Sequence, residues 1–144
     1  MGWSVTSQQH SEKIWWGLWA LTVIAILAGS LLTDDSPVSE AMPSLRWNLG
    51  HIPAYALLGF LTVKVMGVKG GSIRSAAILA GPAVVVFGIS IEVMQPFIGR
   101  MGSTMDASLN VVGTLLGVSE ALLVRRRWWH RTLGKTRAGT LPRA

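Results

Sequence analysis

A run of nineteen residues without a single charge, Ile14 to Leu32 (IWWGLWALTVIAILAGSLL), limits this chain more than any other feature. As a helix rising ~1.5 Å per residue it reaches ~28 Å, about the hydrocarbon thickness of a bilayer. Cleavage as a signal peptide after Ser30 is the alternative, since Ala28-Gly29-Ser30 is a passable small-residue site. The apolar stretch is too long for that, and Lys13 is the only lysine or arginine before it. Composition agrees with a membrane span: 14% of the 144 residues are charged and 50% hydrophobic, against about 25% charged in soluble domains.

Three further apolar runs follow a polar stretch from Thr33 to Arg46: Trp47 to Met66, Ser75 to Ile98 and Ala107 to Val124. Pro82 is expected to kink the third helix, and Pro96 to end it soon after Gln95. Ser103-x-x-Asp106 reads as a capping box opening the fourth. The expected fold is an all-α membrane protein, a four-transmembrane-helix bundle over 14–124. A cytoplasmic segment (1–13) precedes it and a basic cytoplasmic tail (125–144) follows.

The net charge of +6 raises nucleic acid as a partner, but the charges sit between and after the apolar runs, where cytoplasmic anchors belong. Lys13, Lys64, Lys69, Arg74 and the tail residues Arg125, Arg126, Arg127, Arg131, Lys135, Arg137 and Arg143 would share one side. Only Arg46 and Arg100 would lie on the other. The positive-inside rule then puts both termini in the cytoplasm of a multi-pass protein of the cell membrane. Trp15, Trp16, Trp128 and Trp129 fit the inner interface, Trp47 the outer one, and Lys64 can snorkel inward. The arginine-rich tail is read as a topology determinant with affinity for anionic lipid, and no nucleic-acid partner is expected.

With that topology the polar residues inside the spans gather at one face. His51 lies just inside the outer end of the second helix, Glu92 and Gln95 near the outer end of the third, Asp106 and Asn110 open the fourth, and Arg100 lies in the short loop between. At ~100° per residue, Asp106, Asn110, Gly113, Gly117 and Glu120 fall in a stripe about 80° wide. His51, Tyr55, Leu58 and Thr62 line the second helix, and Gly88, Glu92 and Gln95 the third. Gly113-x-x-x-Gly117 allows close helix approach. An ionisable residue in a span is a functional hypothesis by default, and Glu92 is the foremost one. Simpler roles compete. Asp106 can be only the partner of the Ser103 cap, His51 helix-to-helix glue, Arg100 an interfacial anchor, and Glu120 a partner of the arginine-rich tail. The chain has no cysteine, which removes zinc-thiolate and disulfide chemistry. A His51–Glu92–Asp106 metal set lacks the local spacing of zinc motifs, so no metal and no cofactor is expected.

Two segments resemble the VanZ-like family of small membrane proteins. His51-Ile-Pro-Ala-Tyr55-Ala-Leu-Leu-Gly59 is similar to the family's H-x-x-x-Y-x-x-L-G. Glu92-x-x-Gln95-x-Phe97-x-Gly99-Arg100 and Asp106-x-x-x-Asn110-x-x-Gly113-x-x-x-Gly117 are similar to E-x-x-Q-x-F-x-x-x-R and D-x-x-x-N-x-x-G-x-x-x-G. Ser36-Pro37 after the first helix also fits. The family's Asp-Lys pair shortly before the histidine is replaced here by Trp47 and Asn48, so any role of that pair is lost, moved or altered. The family is named after a protein associated with resistance to the antibiotic teicoplanin, so the resemblance implies a place in the cell envelope rather than a reaction.

The leading expectation is a polar site at the outer ends of helices 2–4, built from His51, Tyr55, Glu92, Gln95, Arg100, Asp106 and Asn110. It would recognise a membrane lipid, a lipid-linked saccharide or a lipophilic antibiotic. An intramembrane enzyme using Glu92 and His51 as acid–base groups is the alternative. The residues weigh against it, because no nucleophile motif or metal-ligand cluster is visible. A third reading is a non-catalytic subunit of a larger membrane complex, and homo-oligomerisation also stays open.

Overall fold

The computed structural model describes residues 5–32, 50–68, 72–100 and 102–138. Four α-helices make up nearly all of it: α1 (Val5–Leu32), α2 (His51–Val68), α3 (Ile73–Met94) and α4 (Thr104–Ala138). A 3-10 turn, Gln95–Ile98, closes α3. No strand occurs among the described residues. Three stretches are long and apolar enough to cross a membrane: Glu12–Leu31, Ile73–Ile98 and Thr104–Val124. α2 contributes a shorter apolar stretch, His51–Gly67, roughly 26 Å long. Trp47 and Asn48, the polar loop 33–46 and Lys69 lie outside the described residues, as do the side chains beyond Val124.

Helix ends depart from the hydropathy boundaries for local reasons. α1 starts at Val5, nine residues before the apolar run, because Thr6 to Lys13 contains neither glycine nor proline. α4 runs on through Arg125–Arg127 to Ala138, since arginine is a strong helix former and Gly134 alone does not break the helix. The basic segment after Val124 is therefore helical for most of its length. α3 opens on Ser72, whose Oγ accepts the Arg74 N–H at 3.2 Å. Pro82 lies inside α3 on an exposed face, and Pro96 falls in the first turn of the 3-10 segment, where its missing N–H is least felt. Gly99, at φ +80°, ends the turn in a conformation that favours glycine.

The helices alternate in direction. Trp19 of α1 bonds Thr62 of α2, while Ile26 packs near Tyr55 and Leu58, so α1 and α2 are antiparallel. α2 and α4 run parallel, with His51 beside Asn110 at one end and Val63 with Ala121 at the other. α3 lies antiparallel to both: Gly88 meets Tyr55 and Asn110, and Ala76, Ala77 and Ala80 join Val63 and Ala121. α2 is the shared neighbour, packing on all three other helices and most extensively on α4, whereas α1 rests mainly on α2.

Glycine makes the α2–α4 contact close. A Cβ on Gly113 would sit 2.5 Å from the Ile52 carbonyl oxygen, and one on Gly59 would sit 2.9 Å from that of Thr114. At Gly117 it would overlap the Ala56 carbonyl. The backbones therefore touch directly, which small residues permit in helix packing within membranes. The α4 stripe is corrected at Glu120. Asn110, Gly113, Thr114, Gly117 and Ala121 are buried, whereas Glu120 is exposed. The buried positions cover roughly 100° of the helix, and Glu120 falls about 20° beyond their edge.

The bundle is apolar outside and partly polar inside. Ile78 is 72% exposed, Leu21 64% and Phe97 83%, while Asn110 and Thr114 are 1% and 0% exposed. Water would penalise such a surface, and hydrocarbon would not.

Candidate functional site

The polar residues named from the sequence come together where α2 and α4 begin and α3 ends. His51 is the first residue of α2, and Tyr55 follows one turn later. Their rings stack at 6.3 Å between centroids with an 11° interplanar angle. His51 Nδ1 lies 2.8 Å from Asn110 Oδ1. An amide oxygen only accepts, so in this pairing Nδ1 is the donor. Asn110 is fully buried, which makes it a fixed orienter of the half-buried histidine. Tyr55 is buried as well, and Gly88 is what admits it. A Cβ there would sit 2.8 Å from the tyrosine ring and 3.2 Å from both its hydroxyl and Asn110 Nδ2.

Glu92 is 8% exposed, and its Oε2 accepts the Ser103 backbone N–H at 3.0 Å. Ser103 is the cap of α4: its Oγ accepts the Asp106 N–H at 3.2 Å, and its carbonyl accepts the Ala107 N–H at 3.0 Å. In a capping box the carboxylate three residues on would bond the N–H of the capping residue. Here Glu92, from the neighbouring helix, supplies that bond in place of Asp106. The negative charge also faces the positive end of the α4 dipole. Gly102 is needed beside it, because any Cβ would run into the Glu92 carbonyl oxygen.

Asp106 is half-buried, and its Oδ1 is enclosed with no hydrogen-bond partner. Asn110 Nδ2 is in the same position. Gln95 is 6% exposed and donates from Nε2 to the Ser30 carbonyl at 3.3 Å, filling one of the acceptors left open at the end of α1. Arg100 is half-buried, and its backbone N–H closes the 3-10 turn on the Gln95 carbonyl at 3.0 Å. Glu120 has no part in this cluster. It lies nearly three turns along α4 beyond Asn110 and is exposed.

One contributor, Gly102, has no signal in the sequence beyond being glycine, and its importance depends on what packs on it. Ser103 does more than the expected capping, since it joins Glu92 to α4, and Gly88, expected on the α3 stripe, admits the Tyr55 ring. At the opposite end, Lys64 Nζ lies 5.7 Å from the Trp15 ring centre and 5.4 Å from that of Phe60, a cation–π arrangement tying α1 to α2.

Chemically the site offers an oriented imidazole, a carboxylate engaged by a helix N-terminus, and a second carboxylate with one unmatched oxygen. Among the described residues no three His, Asp or Glu side chains gather as a metal would require. No family model matches the chain, and neither a curated protein nor a solved structure matches it.

Proposed function

We propose that this chain is a VanZ-like protein of the cell envelope. In this reading all four helices span the membrane, both termini are cytoplasmic, and the polar cluster sits at the extracytoplasmic ends of α2–α4. The site recognises the headgroup of an amphiphile: a lipid, a lipid-linked saccharide or a lipophilic glycopeptide-type antibiotic. One observation carries the reading. Three helices deliver buried polar side chains to the same depth of a bundle whose outside is apolar, and polar groups at such positions mark binding or transport sites more often than not. Arg100, beside the cluster, suits a phosphate or carboxylate.

The test is lipid analysis of the purified protein, wild type against Arg100→Ala. Selective loss of one co-purified lipid class in the variant is the expected result. An added lipid returned with an altered headgroup would indicate an enzyme instead. Identical lipid profiles together with a stoichiometric protein partner would sink the reading.

A second reading draws on Glu92. Because that carboxylate caps α4, the cluster also serves to lock the bundle. A non-catalytic subunit of a larger membrane complex needs nothing more from it.

A further inference from the structure

Two enclosed polar atoms of the cluster lack hydrogen-bond partners and differ in character: Asp106 Oδ1 accepts, and Asn110 Nδ2 donates. The two residues are one helical turn apart, with Cβ atoms on the order of 5–6 Å from each other. Asn110 is 1% exposed and cannot turn to solvent, and its Oδ1 is committed to His51. Its Nδ2 is aimed at the seam where α3 passes Gly88 and Tyr55.

The class of group that suits this pair follows from elimination. An ionised phosphate oxygen has lone pairs for the amide but brings like charge to Asp106, with Glu92 bonded nearby to Ser103. An ammonium group suits Asp106 and offers nothing to the amide donor. A hydroxyl can accept from Nδ2 and donate to Oδ1 with a single oxygen, which neither of the other groups can do. Asp106 is half-buried where α4 begins, beside half-buried His51 at the start of α2.

We infer that the Asp106–Asn110 pair binds an uncharged hydroxyl of a polyol headgroup, glycerol or sugar, with any phosphate of the same molecule kept outside the pair. This rests on the reading of the cluster as a headgroup site and names the part of the headgroup it selects.

The test uses the full chain in nanodiscs, prepared without sugar-based detergent, and measures affinity by native mass spectrometry. Phosphatidylglycerol and phosphatidylmethanol carry the same charge, and only the first has headgroup hydroxyls. Phosphatidylglycerol and a monoglucosyl diacylglycerol should each bind about tenfold more tightly than phosphatidylmethanol, the scale of one hydrogen bond to a charged group. Asp106→Ala keeps the Ser103 cap, which uses the backbone N–H of residue 106. It should bring the three lipids within about twofold of one another, the two hydroxyl-bearing lipids losing their advantage over phosphatidylmethanol. Equal binding of all three to wild type, as when a water fills the pair, overturns the hydroxyl assignment and leaves the headgroup reading standing. A preference undiminished in Asp106→Ala overturns the assignment to this pair. Binding of no lipid above the level of an unrelated membrane protein removes the headgroup reading itself.

Discussion

Glu92 offers the sharpest test of how this bundle is held, because its carboxylate accepts the backbone N–H of Ser103 at the start of α4, 3.0 Å away. Glu92→Gln keeps an oxygen able to accept that bond but removes the charge. The loss is the difference between a charged and a neutral hydrogen bond plus the helix-dipole contribution, about 1 kcal/mol. Glu92→Ala leaves the Ser103 N–H unpaired in a part-buried place and opens space beside Gly102. The loss is then on the order of 2–4 kcal/mol. Both variants can be unfolded by SDS titration from mixed micelles, followed by emission from the chain's seven tryptophans. Hydrogen exchange at the Ser103 amide adds a local readout, since protection there should survive in Glu92→Gln and vanish in Glu92→Ala. If alanine and glutamine variants lose the same stability, or Glu92→Ala stays within about 0.5 kcal/mol of wild type, the cap is not a structural element. Glu92 would then return to being a free carboxylate of the site.

Three further outcomes are expected. Gly117→Ala places a methyl group on the Ala56 carbonyl and should destabilise by about 1–3 kcal/mol. Gly81→Ala, with nothing within 4 Å, should be neutral or stabilise by up to about 1 kcal/mol; equal effects at the two sites in SDS unfolding would contradict the close α2–α4 contact. His51→Phe keeps a ring on Tyr55 but strands Asn110 Oδ1, for a loss of about 1–3 kcal/mol in the same assay; an unchanged midpoint would show that the pairing contributes nothing. The chain has no cysteine, so single cysteines report topology directly. Outside-added maleimide should label cysteines placed near Glu40 and near, but not at, Gly102 and spare those at Gly70 and Ala138, and the reverse pattern would invert the orientation.

The helical class and the apolar stretches were legible because hydrophobic run length is a local property, set by the bilayer's thickness and the ~1.5 Å rise of a helix. The buried stripes of α2 and α3 were legible for a similar reason. A 3.6-residue period places His51, Tyr55, Leu58 and Thr62 on one face whatever they pack against. Periodicity was less sure of α4, where Glu120 sits at the edge of the buried sector and only the position of α2 shows that Ala121 takes the inner place. Helix ends were missed at Val5 and Ala138 because helix formation does not stop where hydrophobicity does.

Pairing was beyond the sequence altogether. Asp106 stands at the spacing of a capping partner, yet Glu92 makes the bond because α3 returns close enough for its carboxylate to reach Ser103. Asn110 orients His51 because α2 and α4 run parallel and nearly in register, which Gly113 and Gly117 permit by letting the backbones meet. Sequence by itself determined which residues are polar within apolar helices, and hence which must turn inward, since that preference belongs to each side chain and its solvent. Tertiary structure alone decided which inward-facing group bonds which, because hydrogen bonds form over about 3 Å and that distance depends on how whole helices pack.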